Sequence, residues 1–100
     1  MKEFVEAAIW KNANDFVKDI CWIVRNEKIQ DRGVVIVAWA VNAEAKKCWQ
    51  AEHYSVIEIE ELDNGELDIY QAGAFPTVDD AMAAADRIAL EMYREIYLGN

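Results

Sequence analysis

The period of the apolar positions changes along the chain, and each period predicts a different element. Val5, Ile9, Ala13, Phe16, Ile20, Ile23 and Val24 share one face at about 100° per residue, which fits a single helix over residues 3–26. Asn12 and Asn14 are weak helix formers and good caps, so two helices with a kink between them stay open. The run Ile20-Cys21-Trp22-Ile23-Val24 also has the composition of an extra strand. After Gly33, residues 34–41 are apolar on both faces and rich in β-branched side chains. They predict a central strand covered on both sides, or one that lines an interface.

Alternation then takes over. Residues 55–61 and 66–71 read as two strands joined through Asp63-Asn64-Gly65. A two-residue turn at Asn64-Gly65 would pair Glu60 with Ile69 and set charge against core. A three-residue loop with Gly65 in the left-handed conformation pairs Ile59 with Ile69 and Glu60 with Asp68. Only that register keeps Ile57, Ile59, Leu67 and Ile69 on one face, so it is the register expected. Beyond Pro76, Thr77 is placed as the N-cap of a helix whose first turn holds Asp79 and Asp80. Ala81, Ala85, Ile88, Met92 and Ile96 recur at helical spacing, and Gly99 marks the end. The expected fold is one α+β domain over residues 1–100. It has an N-terminal helix, straight or kinked, a three- to four-stranded antiparallel sheet and a C-terminal helix.

Composition supports one core. The apolar fraction is 54%, with four Trp, four Tyr and three Phe, too much for a disordered chain. No run approaches the ~20 apolar residues that span a bilayer, so no membrane role is expected. Met1 leads into Lys-Glu-Phe-Val-Glu without a long apolar stretch, which predicts a cytoplasmic location. Cys21 and Cys48 lack metal or redox spacing and read as free thiols.

Charge changes the picture more. The net charge is −9, unevenly placed. Residues 1–47 carry eight basic groups against seven acids; residues 48–100 carry two against twelve. From Cys48 through Asp86 there is no Lys or Arg. A field of this kind repels phosphate backbones and attracts basic partners. Direct nucleic-acid binding, which needs Lys and Arg to displace counterions, is therefore not expected. A basic nucleic-acid-binding protein is the complementary surface.

Little in the chain points to catalysis. Ser55, Thr77 and His53 are the single residues of their types, and Thr77 already has a capping role. Ser55 and His53 share a strand face, yet no nucleophile elbow or oxyanion loop flanks them. Cys48 and His53 would point to opposite faces of a regular strand, and only a bulge or short helix within residues 43–50 would bring them together. No Gly-rich phosphate loop occurs. Glu58, Glu60 and Asp68 lack the spacing of a calcium loop, so neither metal nor cofactor is expected.

The hairpin face opposite the isoleucines carries Val56, Glu58, Glu60, Asp68 and Tyr70, with Asp63 and Glu66 at the turn. Glu60 across from Asp68 opposes like charges, at a cost of some tenths of a kcal/mol. A basic partner would turn that repulsion into attraction. The tryptophans offer a second surface: Trp39 and Trp49 are assigned to the core, while Trp10 and Trp22 stay open between core and exposed anchor.

The stretch from Val56-Ile57-Glu58-Ile59-Glu60-Glu61 through Asp63-Asn64-Gly65-Glu66-Leu67-Asp68 to Phe75-Pro76-Thr77-Val78-Asp79-Asp80-Ala81 resembles the hairpin-then-helix end of many small phage and mobile-element proteins. With its length, acidity and lack of a catalytic set, the chain resembles the phage anti-CRISPR proteins, in particular inhibitors of type I, such as type I-F, surveillance complexes. That resemblance implies a non-catalytic DNA mimic in the host cytoplasm that binds basic subunits of the guide-RNA complex and blocks DNA binding. Glu58, Glu60, Asp63, Glu66, Asp68, Tyr70, Asp79 and Asp80 would form the contact. The alternative is a bacterial accessory or immunity-type protein-binding module with Trp10 and Trp22 as anchors.

Overall fold

The apolar and alternating stretches assemble into one sheet in a computed structural model, which describes residues 9–11 and 15–97. Residues 9–11 are helical. The elements that follow are α1 (Asp15–Ile20), β1 (Cys21–Val24), α2 (Glu27–Gln30), β2 (Val34–Trp39), α3 (Ala43–Lys47), β3 (His53–Glu61), β4 (Leu67–Phe75) and α4 (Val78–Tyr97). The strands form an antiparallel meander in the order β1-β2-β3-β4. This is the expected α+β class, with four strands and a C-terminal helix.

The continuous helix over residues 3–26 is not what forms: helix gives way to strand after Ile20. Cys21 pairs with Trp39 and Val24 with Ile36, and the Ala40 amide donates to the Ile20 carbonyl at 2.7 Å. Burial along β1 then follows a period of two, with Cys21 and Ile23 buried and Trp22 and Val24 half-buried. The β-branched residues here gain more from a ladder with β2 than from another helical turn. The kink at Asn12 and Asn14, together with Phe4, Val5, Ala13 and Gly99, lies outside the described residues.

β2 is buried on both sides, as its sequence requires. Val34 and Ile36 join Val56 beneath α4, where Ala81, Ala84, Ala85 and Ala89 are buried. Alanines at these positions let the helix axis approach the sheet closely. The Asp80 amide donates to Thr77 Oγ1 at 3.2 Å, so Thr77 caps α4. Val35, Val37 and Ile59 belong to the second cluster with Cys21 and Ile23, against which Ile9, Trp10, Trp39, Ile57, Leu67 and Ile69 pack. The short α2 seats Ile29 in the α4-side cluster, and Arg32 Nη1 reaches the Ala89 carbonyl at 3.3 Å.

The hairpin takes the expected register: Ile59 pairs with Ile69, Glu60 with Asp68 and Glu61 with Leu67. Leu62 donates to the Glu66 carbonyl and closes a three-residue loop in which Gly65 has φ 83°. Both strands run further than the alternation predicted. A bulge between Val56 and Ile57 leaves Ala72 unpaired and lets Gly73 resume opposite Val56.

Gly33 has φ 81°, its carbonyl accepts the Ile59 amide at 2.7 Å, and a Cβ there would lie 2.7 Å from the Ile59 carbonyl oxygen. Gly65 has a similar φ and open space around it. Gly33→Ala should therefore cost about 3 kcal/mol, combining left-handed strain with overpacking. Gly65→Ala should cost about 1 kcal/mol from the backbone alone. Urea denaturation midpoints check the difference, and equal losses at the two sites would contradict the close approach.

Candidate functional site

Two surfaces stand out, at different ends of the sheet. The first is the acidic face of the β3–β4 hairpin. Antiparallel pairing puts Glu58 opposite Tyr70 and Glu60 opposite Asp68, on the side of the sheet that α4 covers further along. The helix-side positions of β3 run Tyr54, Val56, Glu58, Glu60, and from Val56 onward the strand turns from buried to exposed along them. Glu60, Asp63 and Glu66 are exposed, whereas Glu58 and Asp68 are half-buried. Tyr70, 46% exposed, donates from its hydroxyl to Asp68 Oδ2 at 2.8 Å. That bond first, then partial desolvation and the charges of Asp68, Glu60 and Glu58, push the phenol above the ordinary tyrosine value. Asp79 and Asp80 are not part of this cluster. They begin α4 beyond Phe75, and Phe75 lies seven positions along β4 from Asp68, about 23 Å of strand.

Two of the nucleophile candidates, Ser55 and His53, are held against Trp39. Ser55 is buried and accepts a 3.1 Å hydrogen bond from the Trp39 indole. His53 stacks on the same indole, with centroids 6.3 Å apart and planes 11° from parallel, and its Nδ1 lies 3.6 Å from Glu52. Cys48 is exposed at the C-cap of α3. Among the described residues, no three His, Cys, Asp or Glu side chains converge on a point where a metal could sit.

The second surface includes Trp10 and Trp22, the candidate anchors of the sequence, and joins them to Trp49 and to basic residues that the sequence did not connect with them. Lys18 on α1, Cys21 to Ile23 on β1, Lys46 on α3 and Trp49 just after it surround an open cavity of about 570 Å³, with Trp10 and Arg25 completing the lining. Trp22 and Trp49 meet edge to face, 5.2 Å between centroids at 88°. The Lys18 ammonium lies 6.0 Å from the centre of the Trp10 ring, and Lys46 Nζ donates to the Lys18 carbonyl, fastening α3 to α1. Burial pushes the Cys21 thiol up, with the Lys46 charge opposing it, so the floor is an uncharged thiol.

Trp49 is a correction to the sequence reading, which placed it in the core: it is 67% exposed. It is also the one non-glycine residue at positive φ, 55°, among the described residues. The amides of Trp49 and Gln50 donate to the carbonyls of Lys46 and Ala45, which makes the end of α3 a Schellman motif with Trp49 at the position glycine usually takes. A side chain there costs about 1 kcal/mol. The one local signal was the helix start, where Asn42 Oδ1 accepts the Ala45 amide at 2.8 Å.

Comparison of the chain with protein-family models, with curated proteins and with solved structures gives no match.

The Tyr70 contact is directly testable. Spectrophotometric titration of the parent minus Tyr70→Phe isolates this phenol from the other tyrosines. Asp68→Ala should shift its ionisation to lower pH, because both the hydrogen bond and a neighbouring negative charge are lost. An unchanged titration would show that the bond does not form in solution.

Proposed function

We propose that this is a non-catalytic protein that binds a basic surface on a nucleic-acid-handling protein complex and blocks DNA binding there, its hairpin carboxylates standing in for phosphates. The observation that carries the reading is the register. It places Glu60 against Asp68 and leaves Glu58 one pleat away on the same face, in a hairpin that contains no Lys or Arg. Over about 7 Å of strand this face gathers three carboxylates. Duplex DNA presents about four phosphates over the same axial length. Opposed carboxylates destabilise a hairpin, and a partner's lysines and arginines would reverse the sign of that interaction. Tyr70 adds an exposed aromatic ring held in place by Asp68, a residue type enriched at binding hot spots. Asp63 and Glu66 extend the charge to the tip. The resemblance to anti-CRISPR proteins names the complex on which to look first, a type I surveillance complex with its guide RNA.

A gel-shift titration of such a complex with its target DNA, with and without this protein, tests the reading. Stoichiometric protein should abolish the DNA shift, and the effect should weaken by about tenfold or more between ~50 and ~200 mM salt. The triple variant Glu58→Lys, Glu60→Lys, Asp68→Lys, shown folded by circular dichroism, should lose inhibition. Inhibition retained by that variant would remove the hairpin as the contact. No effect on complexes of several subtypes would remove the surveillance-complex target, and salt-insensitive inhibition would move the contact to the tryptophans.

A further inference from the structure

We propose that the cavity between β1, α1 and α3 is a binding site for a small aromatic anion, a planar apolar body bearing a carboxylate. Its shape fits a small ligand. The volume of about 570 Å³ lies within the roughly 300–1,000 Å³ of small-molecule sites. It is a concavity, whereas a protein partner needs a broad patch of about 800 Å² per side.

Its lining sets the ligand's chemistry. Trp10, Trp22 and Trp49 offer indole faces and edges to a flat ring, over a floor that includes Cys21 and Ile23. Lys18 and Lys46 supply the polar specificity, and no carboxylate is among the described residues of the lining. In a chain of net charge −9, a cavity whose described lining holds lysines and no acid favours an anion.

Trp49 argues that the cavity is more than a gap between elements. Glycine would end α3 without strain, yet a tryptophan stands there in the left-handed conformation, exposed and edge-on to Trp22. Backbone strain of this kind concentrates where a side chain must be aimed at a ligand. Here it forms a wall of the cavity that α3 by itself would not provide. The site is separate from the acidic hairpin: Trp22 pairs at the level of Ala38, while Glu60 lies two positions past the Glu58–Val34 pair, about 20 Å away along the strands. Either site can therefore be lost while the other remains.

The test uses the full chain labelled with ¹⁵N, whose four indole N–H resonances can be followed separately. The probe is 2-naphthoate, compared with 2-naphthylmethanol and 2-naphthylmethylammonium. Trp10, Trp22 and Trp49 should shift on one saturable isotherm, while Trp39, hydrogen-bonded to Ser55, should stay in place. The carboxylate should bind tightest and the ammonium weakest, and Lys18→Met should narrow that gap. Trp49→Gly should weaken naphthoate binding about tenfold without lowering thermal stability, because the backbone strain is relieved as the indole is removed. Ammonium binding as tight as carboxylate binding, or unchanged affinity in Trp49→Gly, would overturn the proposal. So would a lack of saturation by about 5 mM naphthoate.

Discussion

Burial of both faces of β2 is the constraint that the rest of the structure obeys. Val34, Val35, Ile36 and Ala38 have no solvent exposure, so neither side of this strand can face water. A sheet built on such a strand needs two covers. On one side α4 is the cover, and its alanines bring the backbone close to Val34, Ile36 and Val56. On the other side Ile9, Trp10 and Trp39 pack over Val35, Val37 and Ile59. Side chains on β3 and β4 continue each layer, and the bulge at Ala72 keeps the far half of β4 in phase with α4.

Both candidate surfaces arise where these covers end. Along the helix side of β3 the sequence Tyr54, Val56, Glu58, Glu60 changes from apolar to acidic as the strand leaves the packed layer. The acids lie at the margin of the core, which explains why Glu58 and Asp68 are only half-buried. At the opposite edge of the sheet, β1 is four residues long, and α1, α3 and the segment carrying Trp10 are the described elements that line the cavity at its outer flank. Large aromatic rings there leave a concavity that smaller side chains would have let the elements close.

Local chemistry explains what was readable in advance. The hairpin register followed from one conflict: a two-residue turn would have set Glu60 against Ile69, so Gly65 had to close a longer loop. The two-sided burial of β2 followed from an apolar run without alternation, and the start of α4 from Thr77 with two acids behind it. β1 was harder, because Ile20 to Val24 fits a helical stripe and a strand equally well, and pairing with β2 decides between them. The bulge at Ala72 has an interior glycine beside it, Gly73, but the alternation ended the strand at Gln71, short of that signal. The aromatic cavity was out of reach for a different reason. Its walls come from separate segments around residues 10, 18–25 and 46–49, and the usual mark of a helix end, a glycine, is absent where Trp49 stands.

The charge distribution sets the two surfaces apart. At long range the molecule is an anion, since residues 48–100 dominate its field, and a phosphate backbone approaching from solvent is repelled. At the cavity the balance differs, because Lys18 and Lys46 line it and the hairpin acids are about 20 Å away. Physiological salt screens charges beyond about 8 Å, so the hairpin acids are largely screened from an anion small enough to fit inside. A polyanion longer than the cavity would carry its remaining charges into the negative field outside. The same basic residues that on a cationic protein would mark a nucleic-acid site thus favour, on this acidic domain, a compact anion that fits wholly within the cavity.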